Sequence, residues 1–107
     1  MFYEAQRSGS LPTSNRIQYR GDSALSDGSD NGVDLTGGWY DAGDGVKFNF
    51  PMAASTTVLA VGFIFFENAY ERANQKELMY DSIKWPLDYF LKCWKPDSSN
   101  PRYYAQK

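Results

Sequence analysis

Residues 51–70, "PMAASTTVLAVGFIFFENAY", constrain the fold more than any other part of the chain. Met52, Val58, Leu59, Phe63, Phe66 and Tyr70 recur at helical spacing, and Ala53, Ala54, Val61 and Phe65 fill the intervening faces. This pattern predicts a helix apolar nearly all round, and such a helix requires neighbours on most sides. A buried strand over Val58–Phe66 is the competing reading. The pattern runs on to Tyr70 without a turn signal, which favours the helix. Pro51 suits the first turn, where its missing N–H costs nothing. After "RANQK" a second helix is expected from about Glu77 to Trp94, with Leu78, Ile83, Leu87, Phe90, Leu91 and Trp94 as its apolar positions. Pro86 is expected to kink it or begin a new segment.

The N-terminal half differs sharply. Between Gly21 and Val46 there is no Lys or Arg, while six aspartates and seven of the nine glycines fall there. Asp27-Gly28 and Asn31-Gly32 are turn signals, so this is a long acidic loop. Loops of such length are functional or disordered. Leu35, Trp39, Tyr40 and Phe48 are large apolar residues of the kind a disordered linker lacks, which favours function.

With 107 residues the chain can form one small domain, and two apolar helices with a long loop make a poor closed core. An exposed apolar patch, marking a missing partner, is therefore expected. "FYEAQRSG" reads as the tail of a helix. A formal charge of −2 argues against nucleic acid as a partner. No histidine is present, which removes the commonest general base and metal ligand together. The single cysteine, Cys93, is expected to be a buried thiol. The N-terminus lacks a signal-peptide pattern, and the longest unbroken apolar run, Val58–Phe66, is too short to span a bilayer, so no membrane partner is expected.

Three constellations carry chemistry. Asp27–Gly38 matches a calcium-binding EF-hand loop at Asp27, Ser29, Asn31 and Gly32, but Gly38 stands where the bidentate glutamate belongs. A solvated turn cluster is the better reading, and no metal or cofactor is expected. Arg20-Gly21-Asp22 reads as a turn in which Arg20 pairs an acidic neighbour, not as an adhesion tripeptide. In "DLTGGWYDAGDG", Asp41 and Asp44 stand three apart on a stretch too glycine-rich for a good helix. Two like charges so close cost energy. The pair is either a solvated surface turn or a device for gripping a metal, a shared proton or a water. Trp39, Tyr40 and Phe48 bracket it, and flat aromatic faces beside carboxylates suit a sugar ring. In glycoside hydrolysis one carboxylate activates water while another group protonates the leaving oxygen.

"FYEAQRSGSLP", "RGDSALSDGSDNGVDLTGGWYDAGDGVKFNFPMAAS" and "IKWPLDYFLKCW" together resemble the N-terminal part of glycoside hydrolase family 9, the inverting endo-β-1,4-glucanases. The resemblance runs from Phe2 to Gln106. It implies an all-α fold, part of an (α/α)₆ barrel of two to three helices with the acidic loop lining the cleft. Residues 1–107 would be the N-terminal portion of the catalytic domain, without the C-terminal part of the barrel. By the same resemblance Asp44 is the general base and Asp41 helps hold its water; the bracketing Trp39, Tyr40 and Phe48 are the candidate substrate contacts. The implied partner is a β-1,4-glucan and the implied location extracellular. Two positions depart from the family pattern: Gly45 replaces a histidine, and Tyr19 replaces a tryptophan. The family's catalytic acid is a glutamate far toward the C-terminus, and Glu4, Glu67, Glu71 and Glu77 lie in no matching context. The resemblance therefore implies the base side of a hydrolytic site; a truncated, inactive polypeptide is the alternative.

Overall fold

The computed structural model describes residues 1–97 and 99–107. A single N-terminal turn of helix, α1 (Phe2–Ala5), leads into the long loop, which contains one 3₁₀ turn at Ser29–Asn31. Two long helices follow, α2 (Asn49–Arg72) and α3 (Lys76–Cys93), packed against each other. Two short strands, β1 (Trp94–Lys95) and β2 (Arg102–Tyr103), pair antiparallel with Trp94 opposite Tyr103. The chain end then runs beside the start of α2, where Phe48 pairs with Gln106 and the Asn49 N–H donates to the Ala105 carbonyl.

The all-round apolar helix is present, but only one stripe of it is covered. Asn49, Met52, Thr56 and Phe63 are buried, spaced three, four and seven apart as one helical face requires. Phe50, Val58, Ile64, Phe65 and Phe66 are exposed, each by more than 60%. The expected uncovered patch is therefore real, and it lies on α2. Over its most apolar window α2 has mean hydropathy 1.5, so by length and composition it could cross a bilayer.

No new segment begins at Pro86: α3 runs through it as one helix, and the non-helical backbone falls in α2, at Phe66 (φ −124°, ψ 26°). Pro86 lacks an N–H for the preceding turn, but its ring is fully buried, which offsets that loss. The buried face is also different. Pro86, Tyr89 and Cys93 point inward, while Leu87, Leu91 and Trp94 are exposed. Hydrophobicity alone favoured the leucines; tertiary packing selected the stripe that meets the loop.

The core joins all these parts. Leu35 and Trp39 from the loop pack with Met52 of α2 and with Tyr89 and Cys93 of α3. A second cluster binds the far ends of the helices, with Phe63 edge-on to Tyr70 and Tyr80 at 5.2 and 4.9 Å. The acidic loop thus supplies core side chains in its own right. It is ordered because Leu35 and Trp39 are buried at 2% and 3% exposure.

Candidate functional site

The loop carries its charge in two ways. Asp27 forms an ion pair at 2.6 Å with Lys47, whose side chain is fully buried. The Lys47 ammonium also donates to the carbonyls of Leu35 (2.6 Å) and Gly37 (3.1 Å), and lies 4.7 Å from the centre of the Tyr89 ring. From α3, Lys92 donates to the Thr36 carbonyl and hydroxyl at 3.1 and 2.8 Å and pairs with Asp34. Carbonyls 35 and 37 therefore go to one lysine and carbonyl 36 to the other. The segment is thereby clamped by two lysines, one from the loop and one from α3. Next along, the Gly38 carbonyl accepts from the Ser8 N–H and the Trp85 indole. A Cβ at Gly38 would meet the Tyr89 ring at 2.7 Å, and φ there is +73°, so glycine is required on two grounds.

The clamp refines the solvated-cluster reading of Asp27–Gly38: Asp27 and Asp34 pair with lysines, while the Asp30 and Asp34 side chains stay more than half exposed. Among the described residues there is no group of three or more acidic or cysteine side chains placed to hold a metal ion. The Asp34 carboxyl is lowered to about 2, first by the Thr36 hydroxyl bond, then by the Thr36 N–H and Lys92. Neither lysine was singled out from the sequence. A signal existed: Lys47 is the first cation after a long acidic stretch containing none.

Beyond the clamp the chain emerges at Trp39, Tyr40 and Asp41. The Asp41 N–H donates to the Val46 carbonyl at 3.0 Å, and the Val46 N–H donates to Asp44 Oδ1 at 3.2 Å. These bonds close residues 41–46 into a compact loop, with Gly45 at φ +75° completing the turn. Both carboxylates stand in solvent. Asp41 lines two cavities, one on each side. The smaller, about 120 Å³, is walled by Phe2, Tyr3, Trp39, Tyr40, Phe48 and Met52 among others. The larger, about 470 Å³, is walled by Tyr19, Arg20, Tyr40, Ala42, Gly43 and Gly45 among others.

The structure thus gathers Trp39, Tyr40, Asp41 and Phe48 around one opening. Trp39 sits behind the others: it is nearly buried, and its ring lies 4.7 Å from that of Tyr3. Tyr40 is half-buried and anchored through its hydroxyl to Ser23 Oγ at 2.9 Å. Asp44 shares the loop with Asp41 but lines neither cavity. Arg20 does not pair an acid as expected. Its guanidinium lies over Tyr40 at 5.5 Å and donates to the Arg7 carbonyl at 2.9 Å, while Asp22 accepts from the Leu11 N–H. The guanidinium thereby braces the site's aromatic wall.

Glutamates are placed elsewhere. Glu4 is buried and bonded by Arg16 at 2.8 and 2.9 Å, and Glu67 pairs with Lys76. Glu71 ends α2 and Glu77 begins α3.

Known proteins resemble this chain in sequence and in fold. Residues 1–106 match the model for glycosyl hydrolase family 9. Endoglucanase 4 of Bacillus sp. (strain KSM-522) is 62% identical over 92 residues, covering 86% of this chain and 14% of that protein. Endoglucanase 16 of Arabidopsis thaliana is 49% identical over 106 residues, covering 99% of this chain and 21% of that one. Among solved structures, the endoglucanase of the termite Nasutitermes takasagoensis superposes with a TM-score of 0.88 at 50% identity, over 98% of this chain and 24% of that one. The cellulase Cel9M of C. cellulolyticum, solved in complex with cellobiose, gives the same TM-score at 37% identity and the same coverage. The chain therefore spans 14–24% of the length of these relatives. The helices α2 and α3 belong to a partial (α/α)₆ barrel, as the resemblance implied. A family match over nearly every residue, high identity to endoglucanases and a common fold converge on one assignment: this chain belongs to glycosyl hydrolase family 9.

Proposed function

We propose that this chain supplies the base side of a site that hydrolyses β-1,4-glucosidic bonds in cellulose or a related β-glucan, with inversion at the anomeric carbon. Asp44 acts as the general base and Asp41 holds the same water. Tyr40 and Phe48 contact the sugar, and Trp39 supports them from beneath. The observation that carries this reading is the closed 41–46 loop. It holds two solvent-facing carboxylates beside aromatic-walled cavities, in a chain that is 62% identical to an endoglucanase. Asp44 spends Oδ1 on the Val46 N–H, which fixes the carboxylate and leaves Oδ2 outside that bond for water. Protonation of the leaving oxygen is assigned to an acid outside residues 1–107: Glu4 and Glu67 are committed to cations, and Glu71 and Glu77, at the end of α2 and the start of α3, line neither cavity beside Asp41. The chain alone is accordingly expected to release no reducing ends from carboxymethyl-cellulose.

The test is a hybrid in which residues 1–106 replace the matching segment of the termite endoglucanase. Proton NMR of the first product should show the α-anomer, and Asp44→Asn should abolish its formation while Asp41→Asn slows it less. A β-anomer would overturn the inverting assignment, and equally mild losses in both variants would reduce the pair to a structural turn.

A further inference from the structure

The larger cavity beside Asp41 has a wall that the proposed chemistry does not use. Residues Ile17–Arg20 form a tight turn closed by the Arg20 N–H donating to the Ile17 carbonyl at 3.0 Å. Its base is fixed. Ile17 is buried, and the Asn15 side chain bonds the Ile17 N–H, the Ile17 carbonyl and the Arg20 carbonyl at 3.1–3.3 Å. Arg20, bound to the Arg7 carbonyl and lying over Tyr40, anchors the far side. On this rigid mount Tyr19 is 82% exposed. An aromatic ring held out in water forgoes the stabilisation of burial, and the fixed backbone sets where that ring stands.

Tyr19 nevertheless lines the cavity of about 470 Å³ that contains Asp41. The same cavity is bounded by Ala42, Gly43 and Gly45, and a Cβ at Gly43 or Gly45 would meet nothing within 4 Å. An aromatic ring on a fixed turn, across a gap from residues with almost no side chain, leaves room for a flat ligand. The volume is in the range of small-molecule sites. A β-glucopyranose ring matches this shape, because its equatorial hydroxyls point outward and leave C–H faces to lie on an aromatic surface. Asp41 on the rim offers an acceptor to those hydroxyls.

We propose that Tyr19 is the aromatic platform of a glucosyl-binding subsite in this cavity, beside the sugar whose bond is attacked; the proposal rests on the β-glucan reading above. Tyr19 makes a stacking contact only and takes no part in proton transfer.

Titration of the full chain, carrying ¹³C-labelled tyrosine and phenylalanine rings, with cellotetraose tests this by NMR. The Tyr19 ring signals should shift with those of Tyr40. Tyr19→Ala should weaken binding about tenfold, roughly the worth of one aromatic contact. Tyr19→Trp, with its larger face, should bind at least as tightly as the parent. Tyr19 is in solvent, so the alanine variant should keep the parent's melting temperature. Unchanged affinity in Tyr19→Ala, or shifts at Tyr40 and Phe48 without one at Tyr19, overturns this subsite and leaves the β-glucan reading standing. Equal binding of α-1,4-linked maltotetraose also overturns it. No shift at any ring overturns both.

Discussion

Four aspartates of one loop fall into two pairs that behave oppositely. Asp27 and Asp34 are held by Lys47 and Lys92, and their segment is fixed carbonyl by carbonyl. Asp41 and Asp44, a few residues on, have no lysine and stand in solvent on a loop closed only by its own backbone and one aspartate oxygen. The first pair makes structure, and the second is the pair proposed above for chemistry. The difference arises from which cations the fold brings near, since the four carboxylates are chemically alike. A rigid clamp just upstream allows the open pair to be both exposed and well placed.

The largest effect should come from the open pair. In the termite hybrid, Asp44→Asn should cut turnover by about 10²–10⁴-fold, the usual worth of a general base. Its melting temperature should barely move, because surface changes of this kind stay within about 0.5 kcal/mol. A matching fall in stability would mean that Asp44, too, is a structural aspartate and would dissolve the contrast.

Lys47→Met should give the complementary result. It leaves Asp27 without its cation and two carbonyls without their donor, and breaking such a pair costs about 3–5 kcal/mol. Denaturant unfolding of the full chain measures it. A loss below about 1 kcal/mol would show that the clamp is incidental.

Two glycines sharpen the comparison further, because their backbones match while their surroundings do not. Gly38 and Gly45 have φ of +73° and +75°. Alanine should carry the same left-handed strain at both, about 1–2 kcal/mol. At Gly38 the added methyl also meets the Tyr89 ring, for about 1–3 kcal/mol more. At Gly45 it meets open space. The unfolding difference between the two variants isolates contact from strain, and equal losses would contradict the crowding at Gly38.

How far the sequence revealed this contrast depends on the kind of interaction involved. The helices α2 and α3 were legible to within about two residues at each end from their periodicity. Placing Asp41 and Asp44 together followed from spacing, and the order of the acidic loop followed from Leu35 and Trp39. The covered face of α3 was not legible, because Leu91 and Tyr89 are both plausible core residues until the loop is in place. The lysine clamp was hidden for a similar reason. Lys92 lies 56 positions from Thr36 along the chain, and no local pattern announces a contact of that range. Trp39 misled in the opposite direction: an aromatic beside carboxylates suggests a sugar platform, whereas its ring is spent mostly on the core. Tyr19 was noted only as a departure from the family pattern, and its place in the Asp41 cavity needed the turn from Ile17 to Arg20.

The smallest expected effect lies in acid and probes how tightly the first pair is held. Asp34 has its carboxyl lowered to about 2, chiefly by the Thr36 hydroxyl, with the Thr36 N–H and Lys92 adding to it. An unfolded chain holds an aspartate near its ordinary value of 3.8. Where the folded value is the lower, the unfolded state binds the proton first, so falling pH favours unfolding. The contribution of Asp34 is therefore complete above about pH 4 and is lost between there and about pH 2. The carboxylate is 58% exposed, so solvent screens it and the effect should be modest. Melting temperatures of the full chain and of Asp34→Asn should converge as pH falls from 5 to 2, and the gap at pH 5 should narrow with added salt. Glu4 and Asp97 are lowered as well and contribute to the acid slope of both proteins, which is why the difference between them is the quantity to follow. Parallel melting curves across that range would show that Thr36 and Lys92 do not hold the Asp34 carboxylate, and the clamp would then rest on Lys47 and Asp27 alone.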